Sequence, residues 1–134
     1  MNSITYFVPV DFTRSAYHAV EYAMMMARVS GGQISLFHNI DLQRIEESDN
    51  PVVVNLSIDR LFQQAESRMK SLREMIREVN IRASYRIELG YSVEETIKLI
   101  TTQDVDFVVV GKCEQSTPRV QQTIQQLSIP VFVI

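Results

Sequence analysis

Gly111 and Lys112 have the residue types and the position that could bind a phosphate, because they directly follow the apolar run of residues 105–110. Such a run is typical of a buried parallel strand. Ligands of open α/β sheets bind just beyond the carboxyl ends of such strands, and phosphate sites there use glycines for close backbone approach. The next residues include Glu114, whose carboxylate would stand where backbone amides should meet an anion. The sequence therefore predicts a fold suited to a nucleotide and a loop unsuited to its phosphates.

Cys113 lies just past the same strand, where a nucleophile could sit. A catalytic thiol needs a neighbouring base, and His18 and His38 are the two histidines of the chain. His38 could approach the same edge of the sheet, whereas His18 lies early in the first predicted helix and is expected on its surface. Local sequence places neither histidine beside the thiol, so we predict an inert cysteine and no catalytic residue.

Two other clusters contain residue types found in ligand sites, but their spacing does not fit such a site. Met24, Met25 and Met26 are consecutive on a helix, so their side chains point in different directions, and we expect one or two of them to fill the core. The acidic residues at 46, 47 and 49 lack the spacing of a metal-binding loop. The charged residues of the longest helix alternate in sign, as on a solvated face: Glu66, Arg68, Lys70, Arg73, Glu74, Arg77 and Glu78. We predict no metal site.

Five strand patterns alternate with helical patterns along the chain. The strands are predicted at residues 4–10, 34–40, 82–89, 105–110 and 129–134. The first helix is predicted from Ser15 to about residue 29, with Thr13 or Ser15 as its cap, and the second helix follows an apolar stripe over residues 58–79. A third helix is predicted after the capping box of Ser92 and Glu95, and a short fourth helix around residues 120–127. Residues 41–51 are predicted to form a loop. The alternation indicates an α/β fold with a five-stranded parallel open sheet and helices on both faces.

The composition is that of an ordinary globular protein, with 134 residues, 46% hydrophobic and 22% charged. The net charge of −3 provides no basic surface for nucleic acid. One cysteine fits a reducing compartment, and neither a secretory signal nor a run of about 20 apolar residues is evident. We expect a single cytoplasmic domain over residues 1–134, with no membrane and no nucleic-acid partner.

Several segments, taken in order, resemble the universal stress protein family. They are FVPVDFT at residues 7–13, LFH at 36–38, the stretch from Gly90 to residue 97, VDFVVVG at 105–111 and PVFVI at 130–134. The resemblance runs almost from end to end of the chain. It implies the Rossmann-like fold of the adenine nucleotide alpha hydrolase type.

ATP-binding members of that family carry G-x2-G-x9-G-[ST] after the fourth strand. Gly111 matches the first glycine, whereas Glu114, Ile124 and Gln125 occupy the other three positions, and the segment between Gly111 and Pro130 is shorter than in those members. The chain is therefore more similar to family members that lack the motif and do not bind ATP. Triphosphate binding needs convergent N–H donors, a helix dipole or cations, and Lys112 alone is a weak substitute.

Asp11 has two interpretations. It is either a turn residue that helps to cap the first helix, or, as the resemblance implies, a contact to a nucleoside. If AMP or another adenine nucleotide binds without a phosphate clamp, the candidate contacts are Asp11, Thr13, the backbone near Ile40, and Gly111. Pro9 and Val10 could then form walls around the base.

The leading functional hypothesis is a non-enzymatic regulatory or interaction domain of the stress-response type that requires no cofactor. The apolar strand Val131, Phe132, Val133 and Ile134 would leave an exposed sheet edge, and pairing with a second copy would cover it. The resemblance implies the same homodimer. The rival hypothesis is a module that binds AMP or a related adenine compound in the crevice, and an ATP hydrolase is a third, disfavoured class. An unidentified protein partner and the physiological signal stay open.

Overall fold

The computed structural model describes residues 3–45, 47–112 and 118–134. Its helices and strands are β1 (Thr5–Pro9), α1 (Arg14–Ser30), β2 (Gln33–Ile40), α2 (Pro51–Glu78), β3 (Arg82–Leu89), α3 (Val93–Thr102), β4 (Phe107–Val110), α4 (Pro118–Gln126) and β5 (Val131–Val133). A short 3₁₀ helix, Leu42–Arg44, lies between β2 and α2. The alternation of strands and helices is the one that the sequence predicts.

The five strands form one parallel sheet in the order β3-β2-β1-β4-β5. The central strand β1 is buried on both sides, with Phe7 and Val8 only 1% and 0% exposed. Burial on both sides explains why this strand is apolar without alternation. The predicted α/β class, with a five-stranded parallel open sheet and helices on both faces, is confirmed.

Alternate residues of the central strands point to opposite sides of the sheet. We call the side covered by α1 and α2 the first face; it includes Val8, Leu36 and Val109. The side covered by α3 and α4 is the second face, and it includes Phe7, Phe37 and Val108, with Leu99 and Ile100 from α3. The two faces hold separate hydrophobic clusters, as a helix–sheet–helix architecture requires.

Helix α1 begins where a side chain satisfies its first amides. The Thr13 hydroxyl oxygen accepts a hydrogen bond from the backbone N–H of Ala16 at 3.2 Å, so Thr13 is the cap and Ser15 lies inside the helix. The helix ends at Gly31, whose φ of 72° is in the left-handed region. The predicted stop at this glycine is confirmed.

Helix α2 begins earlier than the sequence pattern predicts. Asn50 caps it, with its side-chain oxygen accepting from the N–H of Val52 at 3.0 Å, and Pro51 occupies the first turn. The buried positions of α2 begin only at Ser57, because the side chains of the first turns are exposed or half-buried. Residues 41–51 are therefore not one loop, since Asp41 caps the 3₁₀ helix before the chain reaches Asn50.

Helix α3 and the strands β4 and β5 lie close to their predicted positions. The capping box of α3 is present, with Glu95 N–H donating to the Ser92 hydroxyl and Ser92 N–H donating to the Glu95 carboxylate, both at 3.1 Å. Strand β4 is shorter than predicted, because the Asp106 carboxylate accepts from the Thr5 N–H at 2.8 Å just before the strand begins. Strand β5 spans three residues, within the predicted range of 129–134.

Candidate functional site

A half-open cavity of about 560 Å³ lies on the second face, at the carboxyl ends of β1, β2 and β4. Its volume is within the range of pockets that hold a small molecule. The floor is apolar and is contributed by three strands and two helices: Phe7, Phe37, Val108, Val110, Ile100 and Ile124. The rim is polar: Asp11, His38, Asn39, Asp41, Thr96 and Arg119. This is the position at which parallel α/β sheets bind ligands.

Asp11 borders the cavity and also builds the turn into α1. One oxygen of its carboxylate accepts from the Thr13 N–H at 3.0 Å and from the Thr13 hydroxyl at 2.6 Å. The Thr13 hydroxyl oxygen in turn accepts from Ala16, so Asp11 supports the helix cap. The turn interpretation and the cavity position therefore hold for the same carboxylate.

Ile40 and Thr13 are outside the lining of the cavity. The side chain of Ile40 is buried and packs against Leu61 and Ala65 of α2, and its carbonyl accepts from the N–H of Gly90 at 2.9 Å. Thr13 is exposed beside the start of α1. Of the four predicted contacts, the structure places only Asp11 among the described residues that line the cavity, and the predicted walls Pro9 and Val10 line it as well.

Gly111 has a packing role that needs no ligand. It is buried, and a Cβ added to it would lie 2.6 Å from the carbonyl carbon and oxygen of Ser15 in α1. Contacts of this length with backbone atoms are not tolerated, so any side chain here would push α1 away from the end of β4. The first motif position of the phosphate loop is thus a glycine for a structural reason.

The backbone after Gly111 is partly engaged in the sheet. The N–H of Lys112 donates to the carbonyl of Ile134 at 3.0 Å, which removes this amide as a donor to an anion. Cys113 and Glu114 lie outside the described residues, and so does the rest of the segment 113–117. The predictions about the thiol and the misplaced carboxylate therefore stay predictions.

Ile124 and Gln125, which take the last two motif positions by count, lie near the end of helix α4. The first four N–H groups of a helix are available to a ligand, whereas later ones donate to carbonyls within the helix. Ile124 is half-buried and packs in the second-face cluster, while Gln125 is exposed. Neither residue can present its amide to a phosphate.

His38 is buried at the end of the first face and also borders the cavity. Its Nδ1 lies 2.6 Å from the carbonyl oxygen of Val10, and because that oxygen can only accept, Nδ1 carries the hydrogen. Burial lowers the pKa of His38, the hydrogen bond to Val10 and the charge of Asp11 oppose this shift, and the nearby cations Arg44 and Arg68 reinforce it. The ring is therefore neutral, with Nε2 as an acceptor.

The ring of His38 packs on a strained neighbour. The centroid of the imidazole lies 4.5 Å from that of the Phe12 ring. The Arg68 guanidinium also contacts Phe12, 5.0 Å from the centroid of the phenyl ring. Phe12 has a φ of 64°, which non-glycine residues rarely adopt and which costs free energy unless packing holds it. The stack of His38, Phe12 and Arg68 therefore fixes the turn that carries Asp11.

The predictions for His18 and for the three consecutive methionines are confirmed. His18 is exposed on α1, Met25 is exposed, and Met24 and Met26 pack against the first-face cluster. No group of three or more histidine, cysteine or acidic residues among the described positions could hold a metal ion. Within the same positions, no helix has both the length and the apolar character needed to cross a bilayer.

Sequence reasoning missed the contributions of Asp41 and of α3 and α4 to the cavity. Thr96 lies four residues before Ile100, so the helical period already placed both on one side of α3, and this signal could have been used. Arg119 follows the undescribed segment 113–117, and its position depends on where α4 begins. The Thr117-Pro118 pair in the sequence is a helix-start signal that could have located it.

Comparison with known proteins agrees with this fold. The sequence profile described as the universal stress protein family matches residues 7–134. Universal stress protein MJ0577 of Methanocaldococcus jannaschii is 21% identical over 117 residues, covering 77% of this chain and 72% of that protein.

Solved structures of the same family superpose over nearly the whole chain. A Burkholderia pseudomallei protein of the universal stress protein family has a TM-score of 0.79 at 14% identity, covering 97% of this chain and 94% of its own. An Archaeoglobus fulgidus universal stress protein, solved in complex with dAMP, has a TM-score of 0.71 at 17% identity, covering 100% of this chain and 99% of its own. With a profile match over residues 7–134, this chain belongs to the universal stress protein family.

Proposed function

We propose that this protein is a non-enzymatic, single-domain regulatory or interaction protein of the cytoplasm that acts as a homodimer and does not bind ATP through a phosphate loop. The observation that carries the proposal is the free side of β5. This strand ends the sheet, and its Phe132 and Val133 are 38% and 44% exposed.

An exposed apolar edge strand invites pairing with another strand. Phe132 continues a row of rings across the first face, with its centroid 5.5 Å from that of Phe107, which lies 5.5 Å from Tyr6. Val131 and Ile134 are half-buried beside them. A second β5 placed against this edge would cover both the backbone groups and the side chains, which supports the homodimer.

The opposite edge of the sheet lacks this character. Strand β3 is eight residues long and carries Arg82, Arg86 and Glu88, with the Arg86 guanidinium 2.6 Å from the Glu88 carboxylate. Charges on an edge strand oppose pairing with another copy. The proposal therefore assigns the dimer contact to β5 alone.

The contacts after β4 support the absence of a phosphate loop. The Lys112 amide is engaged with Ile134, the amides of Ile124 and Gln125 lie inside α4, and Gly111 is a glycine because of α1. An unidentified protein partner would then receive the signal.

The dimer is tested by light scattering coupled to size exclusion at tens of micromolar protein. Val133→Lys places a charge in the contact and is expected to give monomers, whereas Ser84→Lys on the exposed β3 edge should leave the dimer intact. Removing residues 131–134 should give monomers or aggregates. A wild-type chain that is monomeric at this concentration would overturn the proposal.

A second candidate function is the binding of AMP or another adenine compound in the cavity. Its volume of about 560 Å³ and its place at the strand ends favour this candidate, and the fold matches that of a relative solved with dAMP. Native mass spectrometry of freshly purified protein distinguishes the two candidates. A co-purified nucleotide supports binding, and an empty dimer supports the first function alone.

A further inference from the structure

We infer that the cavity on the second face binds a flat aromatic compound bearing an amine, neutral or cationic, in preference to a phosphorylated or carboxylated one. The inference rests on the second proposed function, the binding of a small molecule in this cavity. It is carried by the apolar floor together with a rim that offers hydrogen-bond acceptors and negative charge.

The floor is suited to a flat apolar body. The rings of Phe7 and Phe37 lie side by side, with centroids 5.5 Å apart and planes inclined by 30°. Val108 and Ile100 complete the surface beside them. A planar aromatic ligand can lie on such rings and gain both apolar burial and ring contacts.

The hydroxyls at the rim can only accept. The Thr96 hydroxyl donates its hydrogen to the carbonyl of Ser92 at 2.9 Å, and the Thr123 hydroxyl donates to that of Arg119 at 2.9 Å. Each hydroxyl has one hydrogen and two lone pairs, so only lone pairs are left for a ligand. Both threonines therefore favour a ligand with N–H or O–H donors.

The side chain of Asn39 offers at most one N–H to a ligand. One hydrogen of its amide nitrogen is donated to the carbonyl of Tyr91 at 3.0 Å, and its oxygen accepts from the N–H of the same residue at 2.9 Å. The buried His38 uses its one N–H on Val10. The second N–H of Asn39 and the side-chain amide of Gln43 can still donate, so the negative charge of the rim, more than its number of acceptors, sets the preference.

Asp11 and Asp41 have equivalent arrangements on the rim. In each, one carboxylate oxygen holds the following turn, through Thr13 in one case and through the Gln43 N–H at 2.9 Å in the other. No hydrogen bond from a described residue engages the second oxygen of either carboxylate. Both side chains are exposed beside the cavity, where an amine can reach them.

The rim carries less positive charge than negative charge. Arg119 is the one cationic side chain among the described lining residues, against two carboxylates. Helix α4 begins with Pro118, which has no N–H, so its first turn has one donor fewer for an anion. A phosphate entering here meets a lining with more negative than positive charge, whereas an ammonium group meets an attractive one.

The test uses two indoles of similar size and opposite charge, tryptamine and indole-3-propionate. The chain contains no tryptophan, so the fluorescence of either ligand can be followed on titration with protein at low salt. Tryptamine is expected to bind at least about fivefold more tightly. The Asp11→Asn, Asp41→Asn double variant should remove most of this preference, because two exposed ion pairs are worth roughly a fivefold change in affinity together.

The variants leave the turns in place, since an asparagine oxygen can accept the same hydrogen bonds as the aspartate that it replaces. Asp59→Asn, on the exposed side of α2, is the matched control and should keep the preference of the wild-type protein. Circular dichroism and thermal unfolding verify that all three proteins fold alike.

Equal affinities for the two indoles, or tighter binding of indole-3-propionate, would overturn the inference. Binding of AMP without binding of either indole would also overturn it and would leave the second proposed function standing. If tryptamine, adenosine and AMP all fail to bind while the dimer persists, both the inference and the second function fail, and the first function survives.

Discussion

The two faces of the sheet differ in how completely their helices cover them. On the first face, the helices α1 and α2 have 17 and 28 residues, and Val8, Leu36 and Met69 are fully buried beneath them. On the second face, α3 and α4 have only 10 and 9 residues, and a cavity remains between them and the strands. The same strands thus supply a filled core on one side and space for a ligand on the other.

The difference follows from the helix sequences. Helix α2 places Leu61, Ala65, Met69, Leu72 and Ile76 on one continuous stripe, which seals the first face. Helix α4 has one buried residue, Thr123, and its apolar side chains are half-buried. We conclude that the first face contributes most of the folding stability, whereas the second face leaves space in which a ligand could bind.

The largest expected effect is on the free energy of unfolding, when one side chain on each face is truncated to alanine. Met69→Ala removes a side chain with no exposure and should lower the free energy of unfolding by about 3 kcal/mol. Ile124→Ala, beside the cavity in α4, should cost only about 1 kcal/mol because this side chain is half-buried and alanine favours the helix. Urea unfolding measures both, and equal losses would contradict the comparison.

Gly111→Ala tests how the first face is closed, with an expected loss of about 2 kcal/mol. The added methyl group meets backbone atoms of Ser15, so α1 must shift off the end of β4. Thermal unfolding measures the loss. The double variant with Ser15→Gly keeps those backbone atoms, so it should not restore stability; full rescue would show that only the serine side chain is in the way.

The smallest expected effect is a pH dependence that arises at His38. Because burial lowers the pKa of His38 in the folded protein, the unfolded chain binds the proton more readily. The contribution to stability is then complete above the ordinary histidine value of 6.5 and is lost as the pH falls below it. Asp11 moderates the shift, while Arg44 and Arg68 reinforce it.

Urea unfolding between pH 7.5 and pH 5.5 measures this dependence. His38→Gln should flatten the slope of stability against pH, and His18→Gln, exposed on α1, should leave it as in the wild-type protein. A slope that persists in His38→Gln would assign the titration to another group.

The fold could be predicted from the sequence because its signals are local. The double-sided burial of β1, the Ser92 and Glu95 capping box and the left-handed Gly31 each appear as short patterns of residue type. The start of α2 was missed because Pro51 and the residues after it form an exposed turn outside the apolar stripe, although the Asn50-Pro51 pair is itself a start signal.

The candidate site was predictable only in part. Asp11 was found because it ends a recognisable strand, but the cavity depends on how far two short helices stand from the sheet, which no periodicity encodes. Counting along the phosphate motif placed Ile124 at a glycine position, although the helical spacing of residues 120–127 already placed it in a helix, as the structure confirms.

Asp11 and Asp41 each combine a hydrogen bond that holds a turn with a negative charge at the opening of the cavity. In each residue one oxygen organises the chain, and the charge is a separate property that the fold does not require. An exchange of aspartate for asparagine at either position therefore preserves the turn while changing the electrostatic character of the opening. The charge around this opening can therefore change one residue at a time while both turns persist.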